Sequence, residues 1–81
     1  VTVRVVPFAR IREIVGSSEL ERSSSVAMTA GDLWDRLACE FPPLAALGAS
    51  TRLVRNGAFV ERAERLADGD EVGLLPAFGG G

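Results

Sequence analysis

Apolar and polar residues alternate over residues 1–8. Val1, Val3 and Val5 point one way, and Thr2, Arg4, Val6 and Phe8 the other. A period of two predicts a half-buried strand. Val6 and Phe8 depart from that scheme, because they share with Arg4 the face that should be wet. Over residues 9–15 the period lengthens to that of a short helix. Ile11, Ile14 and Val15 recur at helical spacing, and Gly16 stands where a left-handed cap belongs. The turn Gly16-Ser17-Ser18 leads into a weaker strand over 18–26, carrying Leu20 and Val26, whose expected neighbour is the first strand.

The second helix is the clearest element. Thr29 is a good N-cap, and Asp32 lies three residues on, where it can reach back to the cap N–H and favour the positive end of the helix dipole. Ala30, Leu33, Trp34, Leu37, Ala38 and Phe41 fall on one face, with Trp34 and Phe41 expected in the core. Asp32, Asp35, Arg36, Cys39 and Glu40 fall on the other. Pro42-Pro43 stops the helix at Phe41, and residues 44–50 read as a loop or short turn. Leu53-Val54-Arg55 and Ala58-Phe59-Val60 then flank Asn56-Gly57, a two-residue hairpin signal. Leu66 is an isolated apolar residue before the turn Asp68-Gly69-Asp70. In the last strand Val72 and Leu74 share one face, Gly73 and Leu75 the other, and Pro76 ends it. Strands at both ends of the chain around one long amphipathic helix predict an α+β fold, a mixed sheet packed on that helix in the ubiquitin-like β-grasp manner. A ferredoxin-like α+β fold is the alternative.

Composition narrows the chemistry. Eighty-one residues make one small domain, which buries only about 60–65% of the surface its unfolded chain exposes and leaves little room for an internal active site. A net charge of −2 without a block of like charge argues against nucleic acid as a main partner. No apolar run approaches the ~20 residues of a membrane span, and no signal segment opens the chain. All nine basic residues are Arg, and His is absent. The commonest general base and metal ligand is therefore missing, and without lysine the chain cannot accept isopeptide linkages. A single Cys excludes an intramolecular disulfide and any multi-cysteine metal site, which suits a reducing cytoplasm. Cys39 lies on the polar helix face, in a chain with no His or Lys to activate it, and reads as an incidental thiol. Arg10 and Arg12 read as a solvated face. Asp68 and Asp70 read as turn residues and not as half a calcium loop.

The chain ends in Gly79-Gly80-Gly81. Glycine loses the most backbone entropy on ordering, so such a tail is expected to stay mobile unless a partner holds it. Having no side chains, it can thread a narrow tunnel and present an α-carboxylate. The expected division is a β-grasp domain over 1–78 and a flexible reactive tail over 79–81.

Four features together resemble the MoaD family, the small subunits of molybdopterin synthase, which belong with the ThiS-type sulfur carriers. They are Phe8-Ala9-x-x-Arg12-Glu13 after the first strand, Asn56 in the hairpin, Asp68-Gly69-Asp70-Glu71-Val72, and Leu75-Pro76-x-x-x-Gly80-Gly81. The resemblance covers the whole chain. Two departures, Pro76-Ala77 for the usual Pro-Pro and Gly79 for a small Ser, Thr or Ala, loosen the tail without removing its chemistry. The resemblance implies that an E1-like adenylyltransferase of the MoeB type activates the Gly81 carboxylate with ATP. A sulfur source protein then loads it as a thiocarboxylate, and the large synthase subunit receives Gly80 and Gly81 in its active site. It further implies partner contacts at Phe8, Phe59, Leu75, Pro76, Phe78 and Gly79, a heterotetramer, and no cofactor bound to this chain. Its alternatives are sulfur carriers of thiamine, tRNA or cysteine pathways, a ubiquitin-like protein modifier, and a non-covalent binding domain.

Overall fold

The N-terminal alternation forms β1 (Thr2–Pro7), followed by α1 (Ala9–Val15), β2 (Leu20–Ser23), α2 (Ala30–Glu40), a 3₁₀ helix (Pro42–Ser50), β3 (Thr51–Arg55), β4 (Ala58–Phe59) and β5 (Glu71–Pro76). The structure is a computed structural model and describes residues 1–76. The five strands form one sheet in the order β2-β1-β5-β3-β4. β1 and β5 are parallel, and the other pairs are antiparallel. The two ends of the described chain thus lie side by side at the centre of a mixed sheet. This is the β-grasp arrangement, with β2 beside β1 as expected.

α2 covers one face of the sheet. Its Ala30, Leu33, Trp34 and Leu37 are buried in one cluster with Val3, Val5, Leu53, Val72 and Leu74. The helix begins at a reciprocal capping box. Thr29 Oγ1 accepts from the Asp32 N–H at 3.0 Å, and Asp32 Oδ2 accepts from the Thr29 N–H at 3.0 Å. Two further N–H groups of its first turn are satisfied from outside, Ala30 donating to Glu64 O (2.9 Å) and Gly31 to Arg62 O (2.8 Å). The 61–66 segment is so stitched to the start of α2, and Leu66 N–H donates to Met28 O at 2.8 Å. Leu66 and Met28 are both buried in the core.

Phe41 caps the C-terminus of α2 and is half-buried, packing against the edge of the core and not within it. The stretch after it is not a loop but a continuous 3₁₀ helix. Pro42 and Pro43 cannot donate to an α-helical ladder, yet both are compatible with the first positions of a new helical turn. Leu44 then drops into the core, and Gly48 lies so close to Trp34 that a Cβ there would meet the indole nitrogen at 3.2 Å. Two other bounds differ from the alternation: β2 is shorter than 18–26, and β4 ends at Phe59, whereas β5 ends at Pro76 as expected, pairing there with Thr51. No helix among the described residues is long and apolar enough to cross a membrane.

Candidate functional site: the open sheet face and the end of β5

The face of the sheet turned away from α2 carries an apolar row. Register sets Gly73 of β5 between Val6 of β1 and Val54 of β3, and Val54 pairs with Phe59 of β4. Alternation puts all four on the open face, because their neighbours Val5, Val72, Leu74 and Leu53 are buried under α2. Phe8 lies over the gap left by Gly73. A Cβ at Gly73 would meet Phe8 Cε2 at 3.3 Å, Leu75 Cδ1 at 3.5 Å and Val54 Cβ at 3.7 Å. The glycine therefore makes a seat where Phe8, Leu75 and Val54 converge. Phe8 is 44% exposed and Phe59 73% exposed, whereas Leu75 is half-buried by its neighbours. Large apolar side chains grouped in the open are characteristic of a docking surface.

Phe8 is aimed by the backbone around it. Its N–H donates to Leu74 O at 3.1 Å, and its own carbonyl accepts from Ile11 N at 3.1 Å at the start of α1. Ala9 directly after it holds φ +51°, a left-handed conformation uncommon for a residue with a Cβ. The chain thus turns sharply between β1 and α1, leaving the ring over the sheet.

The start of β5 is fixed by the motif residues of the sequence. Gly69 has φ +88°, and its N–H donates to Thr2 O at 2.8 Å, while Asp68 Oδ1 accepts from Thr2 N at 2.7 Å. Asp70 is buried, and its carboxylate accepts from Ala67 N (2.7 Å) and Asn56 Nδ2 (2.9 Å). Asn56 closes the circuit: its Oδ1 accepts from Glu71 N at 2.9 Å and its N–H donates to Glu71 O at 2.8 Å. The Ala67 N–H above all, aided by Asn56 and Arg55, holds the Asp70 carboxyl below its ordinary range against the opposing effect of burial. Asn56 (φ +50°) and Gly57 (φ +88°) both take the left-handed conformation that a tight hairpin requires. The hairpin, the 68–70 turn and β1 together clamp β5 at its beginning. Arg4 adds ion pairs to Glu71 and, at 2.8 Å, to Glu19.

Phe8, Phe59 and Leu75 therefore share one face, whereas Pro76, the last residue of β5, pairs with the buried Thr51 and by alternation lies on the side of α2. Phe78, Gly79, Gly80 and Gly81 lie outside the described residues. Val54 and Arg52 belong to the same face and are not evident from the sequence, and Gly73, which alternation already sets beside Leu75, gains its role as a seat for Phe8 only from cross-strand register. Arg52 is the register partner of Leu75, and its guanidinium lies 5.7 Å from the Phe59 ring centroid. A shallow groove of about 370 Å³ borders this corner, lined by Arg52, Phe59, Glu61 and Arg62 among others. Cys39 is exposed on α2, which packs on the opposite face of the sheet. Among the described residues no group of His, Cys, Asp and Glu is placed to hold a metal ion. The arrangement is thus suited to docking and to presenting the end of a rigid central strand.

Comparison with known proteins agrees. The ThiS family profile matches residues 5–81. The molybdopterin synthase sulfur carrier subunit of Aedes aegypti is 34% identical over 88 aligned positions, covering all of this chain and 90% of that one. Among solved structures, the putative molybdopterin converting factor subunit 1 of Pyrococcus furiosus superposes with a TM-score of 0.87 at 28% identity, over 96% of this chain and 99% of that one. SAMP1 of Haloferax volcanii superposes with a TM-score of 0.85 at 27% identity, over the whole of both chains. By sequence over nearly its whole length, and by a β-grasp fold shared with these proteins, the chain belongs to the ThiS family.

Proposed function

We propose that this chain is a sulfur carrier, acting as the small subunit of a molybdopterin synthase. The convergence of Phe8, Leu75 and Val54 over Gly73, beside a β5 held between β1 and β3, is the observation that carries the reading. It supplies a docking face next to a strand whose register cannot drift. The names of the Aedes aegypti and Pyrococcus furiosus relatives support the same role.

The chemistry belongs to Gly81. A terminal carboxylate, with a pKa of about 3.5, is ionised at neutral pH and is a poor electrophile. An E1-like activating enzyme of the MoeB type joins a carboxylate oxygen to the α-phosphorus of ATP and releases pyrophosphate. Sulfide supplied by a source protein then attacks the acyl carbon, the acyl–phosphate bond breaks, and AMP leaves. The resulting thiocarboxylate is a soft, anionic nucleophile. The large subunit takes it into a tunnel, where its sulfur attacks a cyclic pyranopterin phosphate, and hydrolysis returns Gly81 to a carboxylate. ATP is consumed by the activating enzyme, and this chain holds no cofactor of its own. The assembly is a heterotetramer in the cytoplasm, with two carriers at the ends of a large-subunit dimer. Phe8, Phe59, Leu75, Pro76, Phe78 and Gly79 form the contact, and Gly80 and Gly81 enter the tunnel.

The likeness to SAMP1, a small archaeal modifier protein, favours one second reading. There the same activation precedes an isopeptide bond from Gly81 to a lysine of another protein. Reconstitution separates the two. The intact chain, a matched activating enzyme, ATP, a sulfide source and the large subunit should convert the pterin precursor to the dithiolene product, and a chain lacking Gly81 should not. Conversion that survives loss of Gly81 contradicts the proposal. Gly-Gly remnants on lysines of other cellular proteins would transfer support to the modifier reading.

A further inference from the structure

At both edges of the sheet arginines occupy outward backbone carbonyls. The β1 ladder leaves the carbonyls of Glu21 and Ser23 on the outer side of β2. Arg22 Nη1 donates to the first at 2.7 Å and Arg36 Nη1 to the second at 2.6 Å. At the other edge Thr51 lies beyond the end of β4. Its carbonyl accepts from Arg62 Nη2 at 3.3 Å, and its N–H donates to Gly48 O. Strand addition needs a row of free N–H and C=O groups. The open face, with Phe8 and Phe59 exposed on it, is the better docking surface.

Among the described residues that face carries one cation, Arg52, with neither an ion pair nor a side-chain hydrogen bond, while Arg62 in the adjoining groove is held by the carbonyls of Gly48 and Thr51. Arg4 pairs with Glu19 and Glu71, Arg22 and Arg36 with Glu40, and Arg55 with Glu64. Arg52 makes no ion pair among the described residues, although Glu61 borders the same groove. It is exposed, stands beside Leu75 in register and stacks near Phe59. A partner lying across Phe8, Leu75 and Phe59 removes this guanidinium from water. A charge buried without a partner is strongly unfavourable, and a planar guanidinium is best met by a carboxylate.

We propose that the large subunit docked on this face places a carboxylate opposite Arg52, set in an otherwise apolar surface, so that Arg52 selects the partner beside the end of β5. The inference rests on the sulfur-carrier reading. Its test is calorimetric binding of the full chain to the purified large subunit of the same organism, at low and at high salt. Arg52→Gln should weaken binding by about 30-fold or more and abolish most of the salt dependence. Arg52→Glu should weaken it further. Arg10→Gln, which removes another exposed cation that makes no ion pair among the described residues, should stay within about threefold of the parent. All three variants should melt with the parent chain, since neither arginine is buried. Binding of Arg52→Gln within threefold of the parent, with the parent's salt dependence, overturns the inference and leaves the carrier reading intact. Failure of the unaltered chain to bind the large subunit at all overturns both.

Discussion

Asp70→Ala tests whether the 68–71 motif is the clamp that fixes β5. The substitution removes a buried carboxylate that accepts from Ala67 N at 2.7 Å and Asn56 Nδ2 at 2.9 Å. Hydrogen bonds to a charged group contribute about 1.5–3 kcal/mol each. Asp70 retains 8% exposure, so water re-enters and recovers part of this. A net loss of about 2–3 kcal/mol follows for the pair. A chain of 81 residues has a total stability of roughly 4–12 kcal/mol. The loss is therefore a large fraction of the whole and should lower the melting temperature by roughly 10–20 °C. Urea unfolding should show a lower midpoint with an unchanged slope. Asn56→Ala should behave alike, and the double variant should fall short of the sum by more than about 0.5 kcal/mol, because both residues serve one network. A change below about 0.5 kcal/mol for Asp70→Ala, the size of an ordinary surface substitution, would refute the clamp.

Acid should destabilise the domain. Backbone N–H donors hold the carboxyls of Asp32 and Asp70 low, and Arg22 holds that of Glu40 low. Groups whose pKa is depressed on folding contribute stability above their unfolded values, near pH 4, and lose it as pH falls through the folded ones. Urea midpoints should thus decline below about pH 4, and a flat profile there contradicts the assignment. Ala9→Gly relieves a left-handed alanine and should raise stability by up to about 1 kcal/mol in thermal melts; a loss would mean that the turn after Phe8 is not strained. Leu75→Glu should weaken large-subunit binding by about tenfold or more while the domain stays folded by circular dichroism; unchanged affinity removes Leu75 from the interface.

Much of this architecture is legible in the chain because local signals agree with the global fold. Thr29 and Asp32 announce the start of α2, Pro42 its end, and Asn56-Gly57 a turn that few other residue pairs could adopt. Period-two alternation correctly assigns Val3, Val5, Val72 and Leu74 to the core and leaves Phe8 outside it. What escapes is what depends on register between distant strands. Nothing local tells that Gly73 lies between Val6 and Val54 and so seats Phe8, or that Arg52 meets Leu75. Phe59 has no clear phase in a two-residue strand, and only its pairing with Val54 puts it on the open face. The 3₁₀ helix is hidden because its small residues carry no periodicity, and Leu66 and Met28 are drawn into the core by the tertiary stitch to the start of α2. Asn56, Asp68 and Asp70, legible in the sequence as turn residues and as part of the family resemblance, are structural ties across the start of β5.

The central claim is that Gly81 carries sulfur, and its most direct test is the intact mass of the protein purified from its native cell without added thiols. The account predicts a fraction heavier by the replacement of one oxygen with one sulfur, localised to the C-terminal peptide. A mass that stays unmodified even after incubation with ATP, a matched activating enzyme and a sulfide source would contradict it.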